Sequence, residues 1–397
     1  MPTAIDAAAL RDTIAAILGS GWQSVLVGTG GGSGAMAALL QTPGASRVVL
    51  EAAVPYCAAA LTEWLAAPPE QSCSSPTARA MAMAAWQRAR RLAQEAEPQK
   101  LVGIGCTASL ASDRPKRGAH RIHVAVQTAD RTSVASLELP KGARSRPEEE
   151  SAATALVLDE LAVATTGAKP RLANPLLVEG EAVMRESAAA PQAVADVVCG
   201  RAELALCDHG TWLAAPRAAS ELANSTLFPG AFNPLHEGHR QMAKLAAART
   251  GGRVVYEVAV VNVDKPPLDY LAIAQRVAQF PAAVVALTRA ATFVEKARLF
   301  PGSLLVVGAD TIQRIGEPRY YDHDPAARNA AIAEIDRLGC RFLVFGRATD
   351  GQFLALADLN LPPALAALCQ EVPEAAFRSD ASSTALRLES MPPGPGG

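Results

Sequence analysis

The residues best suited to chemistry stand together in Phe228-Pro-Gly-Ala-Phe-Asn-Pro-Leu-His-Glu-Gly-His239. The stretch reads as a short apolar strand entering a Gly/Pro-broken loop, with a helix over Arg240–Arg249. His236 and His239 can meet a substrate's oxygens, and Gly238 between them lets a ligand approach the backbone closely. In open α/β sheets such a loop is where ligands sit, because the free N–H groups of the helix start suit a phosphate. Three more polar groups follow apolar strands in this half: Asn262-Val-Asp-Lys265, Asp310 and Arg347. Parallel-sheet topology gathers such strand ends at one crevice, and that convergence outweighs any single motif.

A second strand-to-helix turn lies near the start, Gly28-Thr-Gly-Gly-Gly-Ser-Gly34 after Ser24–Val27. Its backbone N–H groups could wrap a phosphate or a carboxylate. Taken alone, it reads better as a tight turn whose small residues allow close packing. Elsewhere, Cys207-Asp-His209 suggests a triad, but adjacent residues in a strand do not face one another, so His209 reads as structural or surface. Tyr320-Tyr321-Asp-His323 reads as a packed loop or substrate lid. His120 and His123 fall on opposite sides of a strand and make a poor metal pair, and no metal-ligand set is assigned.

The elements behind these sites are those of an alternating α/β chain. With 397 residues, half of them hydrophobic and only 5% aromatic, it can bury two or three cores with helix-rich packing. A net charge of −2 gives no electrostatic case for nucleic acid or an anionic membrane. No apolar run reaches the roughly 18 residues of a membrane span, and the N-terminus lacks a signal pattern. Seven cysteines, without Cys-x-x-Cys, point to buried thiols in a reducing compartment. A soluble, cytoplasmic protein is expected.

In the first half the pattern predicts a helix over Ile5–Ile17, then strands at Ser24–Val27 and Arg47–Leu50 and a helix up to Trp64. Ser75 is the expected N-cap of a long helix, with Pro76 at its first position. A strand over Leu101–Gly105, a loop over Cys106–Lys116, a strand over Arg121–Val126 and a helix over Glu148–Leu161 complete it. Residues 166–222 read as a connecting segment, in which Val194–Cys199 and Ala202–Cys207 could be a helix end and a strand. In the second half, helices over Ile273–Phe280, Thr292–Leu299 and Ala326–Leu338 separate strands at Val254–Val261, Val284–Leu287, Leu304–Val307 and Arg341–Phe345. A short helix from Ser379 carries Arg387, and the Pro/Gly tail over 391–397 reads as disordered. Such alternation predicts a parallel sheet with right-handed crossovers.

Two resemblances follow from these residues. Thr-Gly-Gly-Gly at Thr29, Thr42-Pro-Gly-Ala-Ser46, Val54-Pro-Tyr56, Ser75-Pro-Thr-Ala-Arg-Ala-Met-Ala82 and Gly103-Ile-Gly-Cys-Thr-Ala-Ser109 together resemble the CinA C-terminal domain family over about residues 5–163. That family includes nicotinamide-nucleotide amidohydrolases. Thr29 stands where the family has its catalytic serine, Tyr56 matches a family tyrosine, and Leu61 replaces an expected lysine. Leucine cannot take a proton from a nucleophile, so the resemblance implies a retained fold with a vestigial site at Thr29 and Tyr56. Over about residues 224–390 the chain resembles the nicotinamide-mononucleotide adenylyltransferase-like branch of the nucleotidylyltransferase superfamily. Gly230-Ala-Phe-Asn-Pro-Leu-His-Glu-Gly-His239 fits its Gly-x-Phe-x-Pro-x-His-x-Gly-His signature, and Ser382-Ser-Thr-Ala-Leu-Arg387 fits Ser-Ser-Thr-x-x-Arg.

The combined expectation is an α/β protein of two domains. A CinA C-terminal-like domain spans 1–165, and a Rossmann-like parallel-sheet nucleotidylyltransferase domain spans 223–390. By resemblance, His236, His239 and Arg387 are catalytic. Gly230, Phe232, Asn233, Gly238, Gly308, Asp310, Ser382, Ser383 and Thr384 bind ATP, while Asn262, Lys265 and Arg347 bind the second substrate. Mg²⁺ would accompany ATP, held mainly by phosphate oxygens and water. The expected partners are small-molecule nucleotide substrates, without nucleic acid or membrane, and a homo-oligomer is left open. The expected reaction moves a nucleotidyl group, AMP from ATP, onto nicotinamide or nicotinate mononucleotide and releases pyrophosphate. Alternatives are another phosphorylated acceptor (pantetheine phosphate, flavin, sugar-alcohol phosphate), a non-catalytic nucleotide sensor, or a bifunctional enzyme whose first domain still cleaves an amide.

Overall fold

A computed structural model of the chain describes residues 4–113, 118–214, 222, 225–261, 266–349 and 352–378. It is a mixed α/β protein with two large sheets, organised as two compact units. One comprises Met1–Ala190 with Asp264–Ala274, and the other Pro191–Val263 with Gln275–Gly396.

The first unit opens with helix α1 (Ala7–Gly19), capped by Asp6, whose carboxylate accepts from Ala9 N at 2.8 Å. Strand β1 (Gln23–Thr29) is buried along nearly its whole length and leads through the glycine-rich turn to α2 (Ser33–Leu40). Then come β2 (Val49–Ala53), α3 (Ala58–Leu65) and α4 (Ser75–Leu92). They are followed by β3 (Leu101–Ser109), β4 (His120–Gln127), β5 (Arg131–Leu139), α5 (Arg146–Thr166) and β6 (Met184–Ala189). The sheet order is β2-β1-β3-β4-β5-β6, with β1 parallel to both neighbours and the remaining pairs antiparallel.

Small residues set the spacing of this sheet from its covering helix. Ala78, Ala82, Ala85 and Ala89 of α4 are fully buried. A Cβ on Gly103 would lie 2.2 Å from the Ala82 carbonyl oxygen, and one on Gly105 would lie 2.3 Å from that of Ala78. Helix backbone therefore rests almost directly on strand backbone. Ser74, not Ser75, is the N-cap of α4: its side chain accepts from Thr77 N at 3.3 Å, and Pro76 falls one place further into the first turn. Strand β3 also runs on through Cys106–Ser109, where a loop was expected, because β4 supplies partners there, Thr107 opposite His123 and Ser109 opposite Arg121. Strand β5, absent from the sequence reading, has polar residues on both faces and gains its place only by pairing with β4 and β6. Within the same unit, Asp269 forms a buried ion pair with Arg79 at 2.8 Å, and Tyr270 N donates to Thr132 Oγ1 at 3.0 Å.

The second unit contains α6 (Gln192–Val198) and the hairpin β7 (Leu204–Asp208) and β8 (Thr211–Ala214). Residues 166–222, read as a connector, thus contribute strands to both sheets. Next come β9 (Thr226–Pro229), α7 (Glu237–Thr250), β10 (Val254–Ala259), α8 (Tyr270–Val277, of which Tyr270–Ala274 belong to the first unit), β11 (Val284–Thr288) and α9 (Phe293–Leu299). After them lie β12 (Leu304–Gly308), α10 (Ala309–Ile315), α11 (Pro325–Arg337) and β13 (Arg341–Phe345). A small antiparallel pair, β14 (Arg347–Thr349) and β15 (Gln352–Leu354), precedes α12 (Pro363–Ala366) and β16 (Cys369–Val372).

The large sheet runs β16-β13-β12-β9-β10-β11-β7-β8. From β16 to β11 every pair is parallel, and β7 and β8 extend that edge antiparallel. Numbered by chain order, the parallel strands run three-two-one-four-five-six from β11 to β16, the doubly wound pattern. Its switch point lies between β9 and β12, which pair only at Leu304–Thr226 and Leu305–Leu227. Connections leave those two strands in opposite directions, the arrangement at which open α/β sheets place ligands.

Candidate functional site

The switch point delivers the His236/His239 loop from β9 and the Gly308-Ala309-Asp310 turn from β12. His236 is the N-cap residue of α7, so both histidines flank helix amides that lack intrahelical acceptors. Their rings stack, with centroids 3.7 Å apart and planes at 24°. His239 Nδ1 accepts from the His236 backbone N–H at 3.3 Å. In the neutral ring this places the proton on Nε2, leaving a donor for an oxyanion.

Burial is the main force on both imidazoles. It pushes His239 down to about 4, helped by the adjoining His236 and Arg240. It lowers His236 as well, again with Arg240 contributing. At neutral pH the pair is therefore uncharged and ready to gain positive character when an anion arrives.

An aromatic floor holds His239. Phe232 is 1% exposed and meets the His239 ring edge-on at 5.2 Å, with Phe228 also edge-on at 5.9 Å. Tyr256 and Phe280 pack against Phe232 in turn, at 5.4 and 5.2 Å. Phe232, expected among the nucleotide-binding residues, is thus placed under the histidine in the packed interior. Its backbone has φ +43°, a conformation that side-chain-bearing residues rarely adopt, so the surrounding packing must hold it.

The other expected residues distribute as follows. Gly230 N donates to Glu257 O at 3.0 Å, Asn233 is exposed, and Gly238 is buried in the first turn of α7. Gly308 is the N-cap residue of α10, and Asp310 lies in its first turn. Asp310 and Arg347 are bonded to each other, both about two-fifths exposed, so two groups expected to meet substrates occupy one another here. Asn262, Lys265, Ser382, Ser383, Thr384, Arg387 and the 391–397 tail lie outside the described residues. Cys207, Asp208 and His209 form no triad: His209 is exposed and pairs with Asp208, which also holds Arg253.

On the far side of β10 from Tyr256 lies a buried network that the strand pattern concealed. Glu257 is 1% exposed, and both its carboxylate oxygens accept from Lys296 Nζ at 2.8 Å. Lys296 also donates to Ala290 O at 2.7 Å, so its three donors are satisfied and the buried charges are compensated.

In the first unit the glycine-rich turn has an occupant from its own chain. The Glu150 carboxylate accepts from Gly32 N at 3.1 Å, Gly34 N at 3.2 Å and Ser33 Oγ at 3.1 Å. Gly30 and Gly32 adopt positive φ there, which turns the amides inward. The preceding residue, Glu149, is fully buried and binds His120 Nδ1 at 2.7 Å and Ala111 N at 2.6 Å. A cavity of about 350 Å³ borders the turn, lined by Gly28, Ser33, Tyr56, Arg146 and Glu150 among others. Thr29 is 8% exposed, Tyr56 is 67% exposed and Leu61 is buried. Glu150 could not have been found from local spacing, because its partners stand 116 to 118 residues away.

Residues 227–389 match the cytidylyltransferase-like family. The C-terminal half carries a nucleotidylyltransferase-superfamily domain. The matched stretch spans both the His236/His239 loop and Ser382–Arg387, and it supports nucleotidyl transfer as the general chemistry of this half. Among solved structures, the chain is similar to a competence-damaged protein (CinA) superfamily protein from Escherichia coli at 17% identity and a TM-score of 0.30, covering 39% of this chain and 87% of that one. It is also similar to the competence/damage-inducible protein CihA from Agrobacterium tumefaciens (20% identity, TM-score 0.29, 39% and 92% covered). A CinA superfamily protein from Klebsiella pneumoniae gives 15% identity, a TM-score of 0.29, and 39% and 96% coverage. No curated protein matches the chain. Among the described residues, no helix is long and apolar enough to cross a membrane.

Proposed function

We propose that the second unit transfers AMP from ATP to a phosphorylated small molecule, nicotinamide or nicotinate mononucleotide, with release of pyrophosphate. The observation that carries this reading is the stacked, neutral His236/His239 pair at the start of α7, beside the sheet's switch point. An acceptor phosphate oxygen attacks the α-phosphorus, the bond to the bridging oxygen breaks, and pyrophosphate leaves with the electron pair. Such a transfer asks the protein for position and charge neutralisation rather than covalent help. His239 Nε2–H and the first amides of α7 are the donors for phosphate oxygens on which charge develops. The buried aromatic floor limits the ring's movement and keeps water from its inner face.

By the resemblance, Mg²⁺ would arrive with ATP, held by phosphate oxygens and water, with Ser382, Ser383, Thr384 and Arg387 as further phosphate partners. For the first unit we propose a retained fold without amide hydrolysis. Glu150 fills the cradle that an oxyanion would need, and Leu61 offers no base.

Pyrophosphate release by the full chain with ATP and Mg²⁺, measured across phosphorylated acceptors, tests the reading. Release with a pyridine mononucleotide supports it, and release only with pantetheine phosphate, flavin or a sugar-alcohol phosphate replaces the acceptor. ATP binding without release from any acceptor refutes transfer and leaves a nucleotide sensor.

A further inference from the structure

Resting on the nucleotidyl-transfer reading, we propose that Gln279 is a positioning residue that sets the shape of the loop from Gly230 to Leu235 and thereby the placement of His239. That loop joins β9 to α7 without regular structure, so its backbone groups must find partners elsewhere. One carboxamide supplies two of them. Gln279 Oε1 accepts from Leu235 N at 2.7 Å, and Nε2 donates to Phe232 O at 2.9 Å.

A second side chain, three residues earlier, adds a third point. Arg276 Nε donates to Ala231 O at 2.9 Å, while Gln279 Nε2 also donates to Arg276 O at 3.3 Å. The next residue, Phe280, packs edge-on against Phe232 at 5.2 Å. The run from Arg276 to Phe280 thus grips the loop at Ala231, Phe232 and Leu235, from main chain and from ring. Phe232 stands in the rare positive-φ region, so this grip is what keeps its ring beneath His239.

The side-chain type matters because the loop presents a donor and an acceptor to the same residue. Only an amide of this length answers both. A glutamate would keep the bond from Leu235 N but set a carboxylate oxygen against the Phe232 carbonyl, and a leucine would answer neither. Gln279 touches none of the groups that would donate to phosphate in the proposed transfer; its hydrogen bonds are with main chain. Its effect must pass through Phe232 and the loop, and misplacement of about 1 Å at the reacting groups is enough for a loss near 10²-fold.

The test uses the full chain carrying Gln279→Leu and Gln279→Glu. Imidazole signals are followed by NMR across pH, alongside pyrophosphate release and thermal unfolding. In the wild type, His239 should titrate near 4. In Gln279→Leu the released ring gains water, its titration moves up toward 6.5, and kcat falls about 10²-fold, with the kcat of Gln279→Glu in between. A purely structural role would lower the unfolding temperature and leave the His239 titration of the folded protein in place, and that result overturns the proposal. Should Gln279→Leu fail to fold, the titration of the uncharged Gln279→Met decides, because the carboxylate of Gln279→Glu would itself raise a nearby imidazole. If the wild type releases no pyrophosphate, the transfer reading fails, whereas the His239 titration still decides whether Gln279 positions the ring.

Discussion

Two strand-to-helix turns in this molecule start from similar chemistry and end differently. Gly28–Gly34 follows a buried strand, offers inward amides and opens a helix, yet its anion is supplied by the chain itself, through Glu150. Phe228–His239 also follows a strand and opens a helix, but no carboxylate of the chain bonds to its histidines among the described residues. It instead presents two imidazoles kept neutral by burial. On the function proposed above, the first turn is a structural joint and the second, with its uncharged donors, is prepared for an incoming anion. Glycine content does not distinguish the two; the fate of the donors does.

The largest break in this comparison should come from His239→Ala. Removing one preorganised donor costs about 10²–10³ in kcat in comparable sites, so pyrophosphate release should fall by that order while circular dichroism stays unchanged. Retained turnover would remove His239 from the mechanism. Glu150→Ala should do the opposite: transfer unaffected, and the first unit destabilised by about 1–2 kcal/mol in urea titration, since three bonds to a half-buried carboxylate disappear. An unchanged midpoint would mean that water satisfies the turn equally well.

Acid should separate the turns again, by a smaller effect. The folded-state pKa of His239 is depressed to about 4 from an ordinary 6.5. Its neutral form therefore supports the fold above pH 6.5, and that support is lost as pH falls toward 4. Urea midpoints over this window should drop less steeply in His239→Asn than in the wild type; parallel curves would contradict the assignment. ATP should bind more tightly over the same window, because a triphosphate stabilises the imidazolium. The smallest expected effect is that of Thr29→Ala, which should leave transfer unchanged. If wild-type protein releases ammonia from nicotinamide mononucleotide and Thr29→Ala does not, the first unit is an enzyme after all.

Much of the architecture could be read from the chain because local signals agreed with tertiary needs. Stretches such as Leu305–Val307 and Phe342–Phe345 are continuous apolar runs buried on both faces, which is how a parallel sheet is written in sequence. Strand β5 escaped because polar residues recur along it, and pairing on both sides, not composition, makes it a strand. Ser74 and Ser75 are equivalent in type as caps, and only the side-chain bond to Thr77 N singles out Ser74. In the candidate site, His236 and His239 were legible from their spacing. The roles of Phe232 and Glu150 were not, because each depends on contacts formed only after folding.

The sequence by itself determined the alternation of elements, the His-x-Gly-His loop between a strand and a helix, and the placing of an apolar leucine at 61. Those are properties of residue type and short-range spacing, which the chain carries before it folds. Only the tertiary structure decided that Glu150 closes one turn, that Asp310 and Arg347 hold each other, and that the imidazoles are neutral. Each depends on surroundings formed only on folding: Glu150 and Arg347 meet groups far along the chain, and burial keeps the imidazoles neutral.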